Sequence, residues 1–289
     1  MENILSKSND SNQKKDITNP MVTIITPVFN GSKYLEISIQ SVLMQSYPNT
    51  EHVFADGGST DGTVEILLKF HTKYPDKVRF ISEPDKGSGD AMNKCLRMAK
   101  GEIFAFLGSD DMSEPDAILN VVEFFRSNPD AYFVFGACNY INEKGEIIVR
   151  AATKDFNFNE ILNNGCYVPT PSSFYRRRVV ETVGYYDALG NDLDYLLRVA
   201  KVFKIYRIDK VLSNFRIHEG SATTGTRKDI RKMWSWEDCK ASRKYGGRFF
   251  SRYCRRYYKQ VILEPFQPII NAVYPVLKRM KTAIVRNKK

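Results

Sequence analysis

"MVTIITPVFN" (21–30), followed at once by "SKYLEISIQSVLMQS" (32–46), sets the fold class of this chain. The first segment is almost continuously apolar or β-branched before its proline, the pattern of a strand buried on both faces. The second spaces Leu35, Ile39, Val42 and Leu43 at helical intervals behind Ser32, a helix-start residue. The same alternation repeats outward from there. "EHVFAD" (51–56) and "VRFIS" (78–82) predict strands, and each precedes a helical pattern, "STDGTVEILLKFHTKY" (59–74) and "GDAMNKCLRMAKG" (89–101). "IFAFLG" (103–108) predicts a fourth strand. This alternation predicts an α/β fold, Rossmann-like, with a mostly parallel central sheet and helices on both faces.

Past about residue 129 the pattern changes. "AYFVFGACNYINEKGEIIVRA" (131–151) predicts two strands joined by a turn at Glu143–Gly145. "VPTPSSFYRRRVVETVG" (168–184) predicts a proline-broken loop, a short strand and a helix, and "NDLDYLLRVAKVF" (191–203) another helix. "IYRIDKVLSNFRIH" (205–218) predicts strands. The expected organisation is a polar, disordered segment over 1–20 and a domain over 21–226 with halves 21–128 and 129–226. A basic helical extension follows over 227–289.

Charge divides along the same boundary. Residues 227–289 carry eighteen Lys and Arg against four Asp and Glu, a net +14, which leaves −4 for the rest of a chain of net +10. A mildly acidic body with a basic tail points to an anionic surface as partner. Projected on a helix, residues 248–262 gather Arg248, Arg252, Arg255, Arg256 and Lys259 on one side, with Phe249, Phe250, Tyr253, Tyr257 and Val261 opposite. That pattern predicts a monotopic anchor on anionic lipid; the alternative is an aromatic face packed on the body or on a second copy in a homodimer. "PFQPIINAVYPVLKRMK" (265–281) continues the tail, apolar but broken by prolines. No nucleic-acid motif accompanies the charge, so no nucleic-acid partner is expected. The N-terminus lacks the apolar core of a signal peptide, and no apolar run reaches transmembrane length. Five dispersed cysteines without a CxxC pair predict neither a zinc site nor a disulfide framework, and fit a reducing cytoplasm.

In an open α/β sheet, ligands bind beyond the carboxyl ends of the strands. There this sequence places Asp56 and Asp61, then Glu83 and Asp85, then "GSDD" with Asp110 and Asp111, each beside glycine. The bland reading of the last group is a capped helix start at Ser113-Glu114-Pro115-Asp116. The chemical reading is a hard divalent cation, Mn²⁺ or Mg²⁺, bridging carboxylates and a nucleotide diphosphate. No G-x-G-x-x-G follows the first strand and no P-loop is present. In "DGGSTDG" Leu67 stands where a calcium loop needs glutamate, which excludes an EF-hand.

"TIITPVFNG", "ADGGSTDGT", "SEPDKGSGDAMNKCLRMAKGE" and "FLGSDD", in that order, resemble the nucleotide-sugar domain of family 2 glycosyltransferases, inverting enzymes of the A-type fold. The resemblance spans about 21–225 and is closest to members acting in bacterial capsule, exopolysaccharide or lipopolysaccharide assembly. It implies that Pro27, Phe29 and Asn30 line the nucleotide base, that Asp56 reads a base edge or ribose, and that Asp85 and Lys86 border the phosphates. Asn93 belongs to the same donor set. Asp110 matches the ribose-contacting acid and Asp111 the metal ligand, with Ser109 where the strict motif has a first aspartate. Met92 stands before Asn93, where many relatives carry arginine. In "GNDLDYLLRVAK", Asp192 matches the general base that takes the acceptor hydroxyl's proton, with Asp194 and Arg198 supporting. On pattern alone, a favourable first-turn charge is as good a reading of either aspartate as a catalytic role. His218 in "FRIHEGSATTG" matches a histidine that approaches the metal or diphosphate; a lone histidine otherwise reads as packing.

Together these readings predict an inverting, metal-dependent glycosyltransferase at the cytoplasmic face of the cell membrane. By family frequency it would use a UDP-sugar, with a glycan or polyprenyl-linked saccharide as acceptor. A metal-dependent nucleotidyltransferase and a non-catalytic membrane-associated scaffold are the alternatives.

Overall fold

The computed structural model describes residues 19–187, 189–221 and 228–263. The predicted disordered segment falls almost wholly outside these residues, as do the loop after Ser221 and the proline-broken stretch beyond Leu263.

The first half forms as its periodicity dictates. Strands β1 (Val22–Val28), β2 (Thr50–Asp56), β3 (Val78–Ser82) and β4 (Ile103–Phe106) pair in parallel, with β1 between β2 and β4. Helices α1 (Ser32–Leu43), α2 (Thr63–Lys73) and α3 (Ser88–Met98) connect them. Leu35 and Ile39 of α1 and Leu67 and Phe70 of α2 pack with Val28 of β1 and Phe54 of β2. Helix α4 (Ala117–Ser127) buries Ile118, Val121, Val122 and Phe125 in a second cluster with Val22, Ile24, Ile103 and Ala105. All of these residues are at most 6% exposed, so the apolar periods seen in the sequence are the core.

The second half corrects the predicted fold class. β5 (Met112–Ser113), β6 (Phe133–Ile141), β7 (Ile147–Val149), β8 (Ser173–Arg176) and β9 (Ile205–Arg216) extend the sheet in the order β3-β2-β1-β4-β8-β6-β9-β5, with β7 on β6. Of these pairings only β6–β9 is parallel; β4–β8, β6–β8, β6–β7 and β5–β9 are antiparallel. The sheet is therefore a curled, partly antiparallel half-barrel and not a flat, mostly parallel one. Two features bend it. The β6–β9 register shifts on both sides of Ala137, and such irregularities bend a strand and sharpen its twist. At Gly136 a Cβ would lie 2.6 Å from both Leu212 Cγ and the Lys210 carbonyl, so only glycine lets the two strands approach.

The chain divides into two compact units. The first runs to Phe156 and takes in Val168–Gly190 and Arg198–His218, which holds the whole sheet, a 3₁₀ turn (Thr170–Ser172) and the later helix Arg177–Val183. The second comprises Asn157–Tyr167, Asn191–Leu197 and the chain from Glu219. In chain order the remaining helices are α5 (Phe158–Asn164), α6 (Arg177–Val183), α7 (Asp192–Ala200), α8 (Lys228–Lys244) and α9 (Arg252–Tyr258), with a π-helical turn at Lys259–Leu263.

The basic tail folds differently from its projection. Gly246 (φ +92°) and Gly247 break the helix after α8, and α9 begins only at Arg252, capped by Ser251. Arg248, Phe249 and Phe250 thus lie in the turn, off the helix. Tyr253 faces inward, its hydroxyl donating to the Ile161 carbonyl at 2.8 Å. Cys239 of α8 and Cys254 of α9 form a disulfide, against the expectation of unpaired thiols. Fifteen residues of separation hid a pair whose Cα atoms the hairpin brings to 4.6 Å.

Candidate active site

The acidic corner is built at the end of β4. Its ladder closes as Leu107 N–H donates to the Ile25 carbonyl at 3.0 Å, and the Thr26 hydroxyl holds the Leu107 carbonyl at 2.8 Å. The chain then turns through Gly108, with Asp111 N–H donating back to the Gly108 carbonyl at 3.2 Å. This turn aims both acids at one place. A Cβ on Gly108 would lie 2.7 Å from Asp110 Oδ1 and 2.7 Å from Asp111 Oδ2. Asp111 is 3% exposed, and burial, with the Asp110 charge adding to it, pushes its carboxyl well above the usual carboxylate range. His218 Nε2 lies 2.8 Å from Asp110 Oδ2.

Two carboxylate oxygens lying against the same glycine are a donor set of the kind a hard divalent cation takes, with phosphate oxygens to complete its shell. The cation would also offset the burial and the Asp110 charge that together raise Asp111. Among the described residues no three His, Cys, Asp or Glu side chains already surround a common point. His218 acts on the corner through its bond to Asp110.

Arg216 is a member of this corner that sequence reasoning passed over. It is 1% exposed, and its backbone N–H donates to Asp111 Oδ1 at 2.9 Å. Its Nε donates to the Asp110 carbonyl at 2.8 Å, and Nη1 to the Asn142 and Glu143 carbonyls at 3.0 Å each. The guanidinium lies 4.6 Å from the Tyr34 ring, which sits 5.0 Å from His218. Tyr34 and Lys33 both donate to Glu143 Oε2. The available signal was the pair Arg216 and His218, two residues apart at the end of a strand.

The donor-side residues gather on neighbouring loops of the same unit. Phe29 is 65% exposed beside half-buried Pro27, and Gly57 separates its ring from Asp85: a Cβ there would meet Asp85 Oδ2 at 2.5 Å and Phe29 Cδ2 at 3.4 Å. Asn30, in the left-handed region at φ 49°, accepts from Thr60 N–H and so joins the loops after β1 and β2. Asp56 is buried and accepts from Gly58 N–H, Ser59 N–H and the hydroxyls of Ser59 and Ser82. In this conformation its carboxylate organises the loop. Asp85 accepts from Gly87 N–H, and Lys86 is exposed. Asn93 clamps the Tyr186 backbone, donating to its carbonyl at 2.9 Å and accepting from its N–H at 3.0 Å.

The arginine run 176–178 is largely committed to structure. Arg176 donates to the Ala131 and Phe125 carbonyls, and Arg177 to those of Ala99 and Gly101. Arg198 donates to the Val183 and Tyr185 carbonyls. In the second unit Asp192 opens α7 and is exposed. Asp194 is capped by Asn191 and pairs with Lys244 at 2.8 Å.

An acid-lined strand edge with an exposed ring near it is where an open α/β sheet binds its ligands. The model of the family described as glycosyl transferase family 2 matches residues 23–184, more than half of the chain, and the chain belongs to that family. It is 31% identical over 215 residues to the chondroitin synthase of Escherichia coli, covering 74% of this chain and 31% of that protein. It is also 31% identical over 209 residues to an uncharacterized glycosyltransferase of Nostoc, covering 68% and 65%. The chain thus spans about a third of the first relative and just under two thirds of the second. In structure it is similar to S. aureus TarS in complex with UDP-GlcNAc (TM-score 0.62, 18% identity, 88% of this chain and 79% of that one). It is likewise similar to the mannosyltransferase PcManGT of Pyrobaculum calidifontis in complex with GDP-Man and Mn²⁺ (TM-score 0.63, 18% identity, 95% and 82%).

Proposed function

We propose that the protein is an inverting glycosyltransferase that moves a sugar from a nucleotide-diphosphate sugar to a hydroxyl of a glycan or lipid-linked saccharide. The convergence of Asp110 Oδ1 and Asp111 Oδ2 over Gly108 carries this reading. The nucleotide sugars bound by two structural relatives support the donor class, and the chondroitin synthase supports a glycan as product. Asp110 and Asp111 would hold Mn²⁺ or Mg²⁺, with His218 fixing Asp110. When bound, the cation supplies Lewis-acid stabilisation of the departing diphosphate.

The remaining chemistry belongs to the chain. Phe29 offers an exposed ring for the base, while Asn30 and Asp56 fix the loops around it. Arg216 holds Asp111 from its backbone and the 110–111 turn from its side chain. Inversion needs a base for the acceptor hydroxyl, and Asp192, exposed at the start of α7, is assigned that role. Among the described residues no helix is long and apolar enough to cross a membrane. We assign the enzyme a peripheral position on the inner face of the cell membrane, where a lipid-linked acceptor is within reach.

The test is a screen of nucleotide sugars with Mn²⁺ or Mg²⁺ in the presence of saccharide acceptors. Metal-dependent release of nucleoside diphosphate, lost in Asp111→Ala, is the expected result. Release of pyrophosphate would instead identify a nucleotidyltransferase, and full activity in Asp111→Ala would reject the corner as the site.

A further inference from the structure

The α8–α9 hairpin carries a connected run of five aromatic rings. Trp236 lies 4.7 Å from Tyr257, Tyr257 6.0 Å from Tyr258, Tyr258 5.4 Å from Phe249, and Phe249 5.0 Å from Phe250. The run ends at the turn, where Phe249 is 55% and Phe250 68% exposed. Phenylalanine has no polar group to reward exposure, so two adjacent exposed rings mark a surface that is covered in use.

The turn is firmly held. Gly247 N–H donates to the Ser242 carbonyl at 2.8 Å, Arg243 Nη1 to the Gly247 carbonyl at 2.9 Å, and Arg248 N–H to Asn163 Oδ1 at 2.8 Å. The rings are therefore presented in a fixed arrangement, which limits the ordering cost of binding.

Charge identifies the occupant. Residues 228–263 carry a net +8, eleven Lys and Arg against three Asp and Glu. Lys240 Nζ lies 5.7 Å from the Trp236 ring and the Arg243 guanidinium 5.7 Å from that of Phe249. Arg248, Arg252, Arg255, Arg256 and Lys259 are exposed around them. A second copy docked on this face would set +8 against +8, whereas anionic headgroups complement the cations while the acyl boundary takes the rings.

We propose that this aromatic tip docks the protein on anionic lipid, with Phe249 and Phe250 entering the acyl boundary and the surrounding arginines on the headgroup phosphates. The proposal rests on the peripheral-membrane reading above and names the surface responsible. The full chain and a Phe249→Ser/Phe250→Ser variant are floated with vesicles of phosphatidylcholine mixed with phosphatidylglycerol, and with phosphatidylcholine alone. Circular dichroism checks that the variant is folded, and an Arg248→Gln/Arg255→Gln variant tests the charge separately.

The expected result is that the parent floats only with the anionic vesicles and that the phenylalanine variant partitions at least about tenfold more weakly. The arginine variant should weaken mainly at low salt. If the parent floats and the phenylalanine variant floats equally, the tip is wrong while the membrane reading stands. If the parent stays at the bottom of the gradient with both vesicles, both readings fall. A parent dimer converted to monomer by the same substitutions, with flotation unchanged, would assign the tip to self-association instead.

Discussion

Gly108→Ala tests the acidic corner more sharply than removing either acid. The methyl group would lie 2.7 Å from Asp110 Oδ1 and from Asp111 Oδ2, where ordinary contact begins at 3.4 Å. Gly108 is not among the glycines at positive φ, so alanine suits its backbone and the conflict falls on the carboxylates. Each oxygen must retreat by roughly 0.7 Å. Neither is free to do so cheaply, because Asp111 is buried with Oδ1 on the Arg216 N–H and Asp110 is bonded to His218. Metal–ligand distances tolerate about 0.2 Å, and misplacements on the order of 1 Å cost about 10²-fold in rate. Isothermal titration of Mn²⁺ with UDP or GDP, beside a thermal melt, is the assay. We expect a folded variant whose metal-dependent nucleotide affinity and transfer rate both fall by at least about 10²-fold. Adding Asp111→Ala to it should cost little more, since both changes remove the same contact. A folded Gly108→Ala protein that binds metal and nucleotide within threefold of the parent would refute the reasoning.

Three further outcomes follow from the same geometry. Asp192→Asn should lower transfer by about 10²–10⁴-fold while nucleotide binding is kept, as expected for loss of a general base; near-normal turnover in steady-state kinetics sinks the assignment. Arg216→Lys keeps the charge but cannot serve three carbonyls from a fork, and should cost about 2–4 kcal/mol in urea unfolding together with at least about tenfold in metal-dependent nucleotide affinity; a variant as stable as the parent contradicts this. Burial pushes the Asp238 carboxyl up to about 6 from 3.8, against the pull of Asn191 and Arg256. The folded chain therefore holds that proton more tightly than the unfolded one, so this group's contribution falls as pH rises from about 4 to about 6 and stays low above. Asp238→Asn should remove that slope and stabilise the protein by up to about 3 kcal/mol at pH 7.5 relative to pH 4; urea melts showing equal differences at both pH values exclude it.

What the sequence disclosed depended on how local the cause was. β1 to β4 and their helices follow from periodicity, because each strand–helix unit buries its own apolar face within some thirty residues. The turn at Glu143–Gly145 was equally legible, and Gly145 N–H does donate to the Asn142 carbonyl. The strand pattern made the acids at the strand ends legible as a group; separate roles for them came only with the family resemblance. Asp110 and Asp111 converge over a glycine, whereas Asp56 is occupied by its own loop. That difference is a matter of side-chain direction, which spacing does not encode. The tail shows the same limit. Helical projection identified an aromatic face and a basic one, but amphipathicity gives a face without its partner. Tyr253 went inward to Ile161, and two glycines cut Phe249 and Phe250 off the helix altogether.

The mistaken sheet and the missed arginine have one cause. A mostly parallel sheet continues by crossover helices, and the pattern after residue 129 offered too few of them. The chain instead bends β9 through its irregular register with β6 and pairs it antiparallel with β5, Met112 opposite Asn214 and Ser113 opposite Ser213. β5 begins at the residue after Asp111, so this pairing brings the end of β9 back beside the acidic turn. Arg216 N–H then meets Asp111 and His218 meets Asp110, across 105 and 108 residues of sequence. The antiparallel return is therefore what completes the corner. A flat parallel sheet would leave two adjacent carboxylates at the end of β4 with no donor to orient either, and their mutual repulsion would favour turning them apart. The curl of the second half supplies the partners that hold them together.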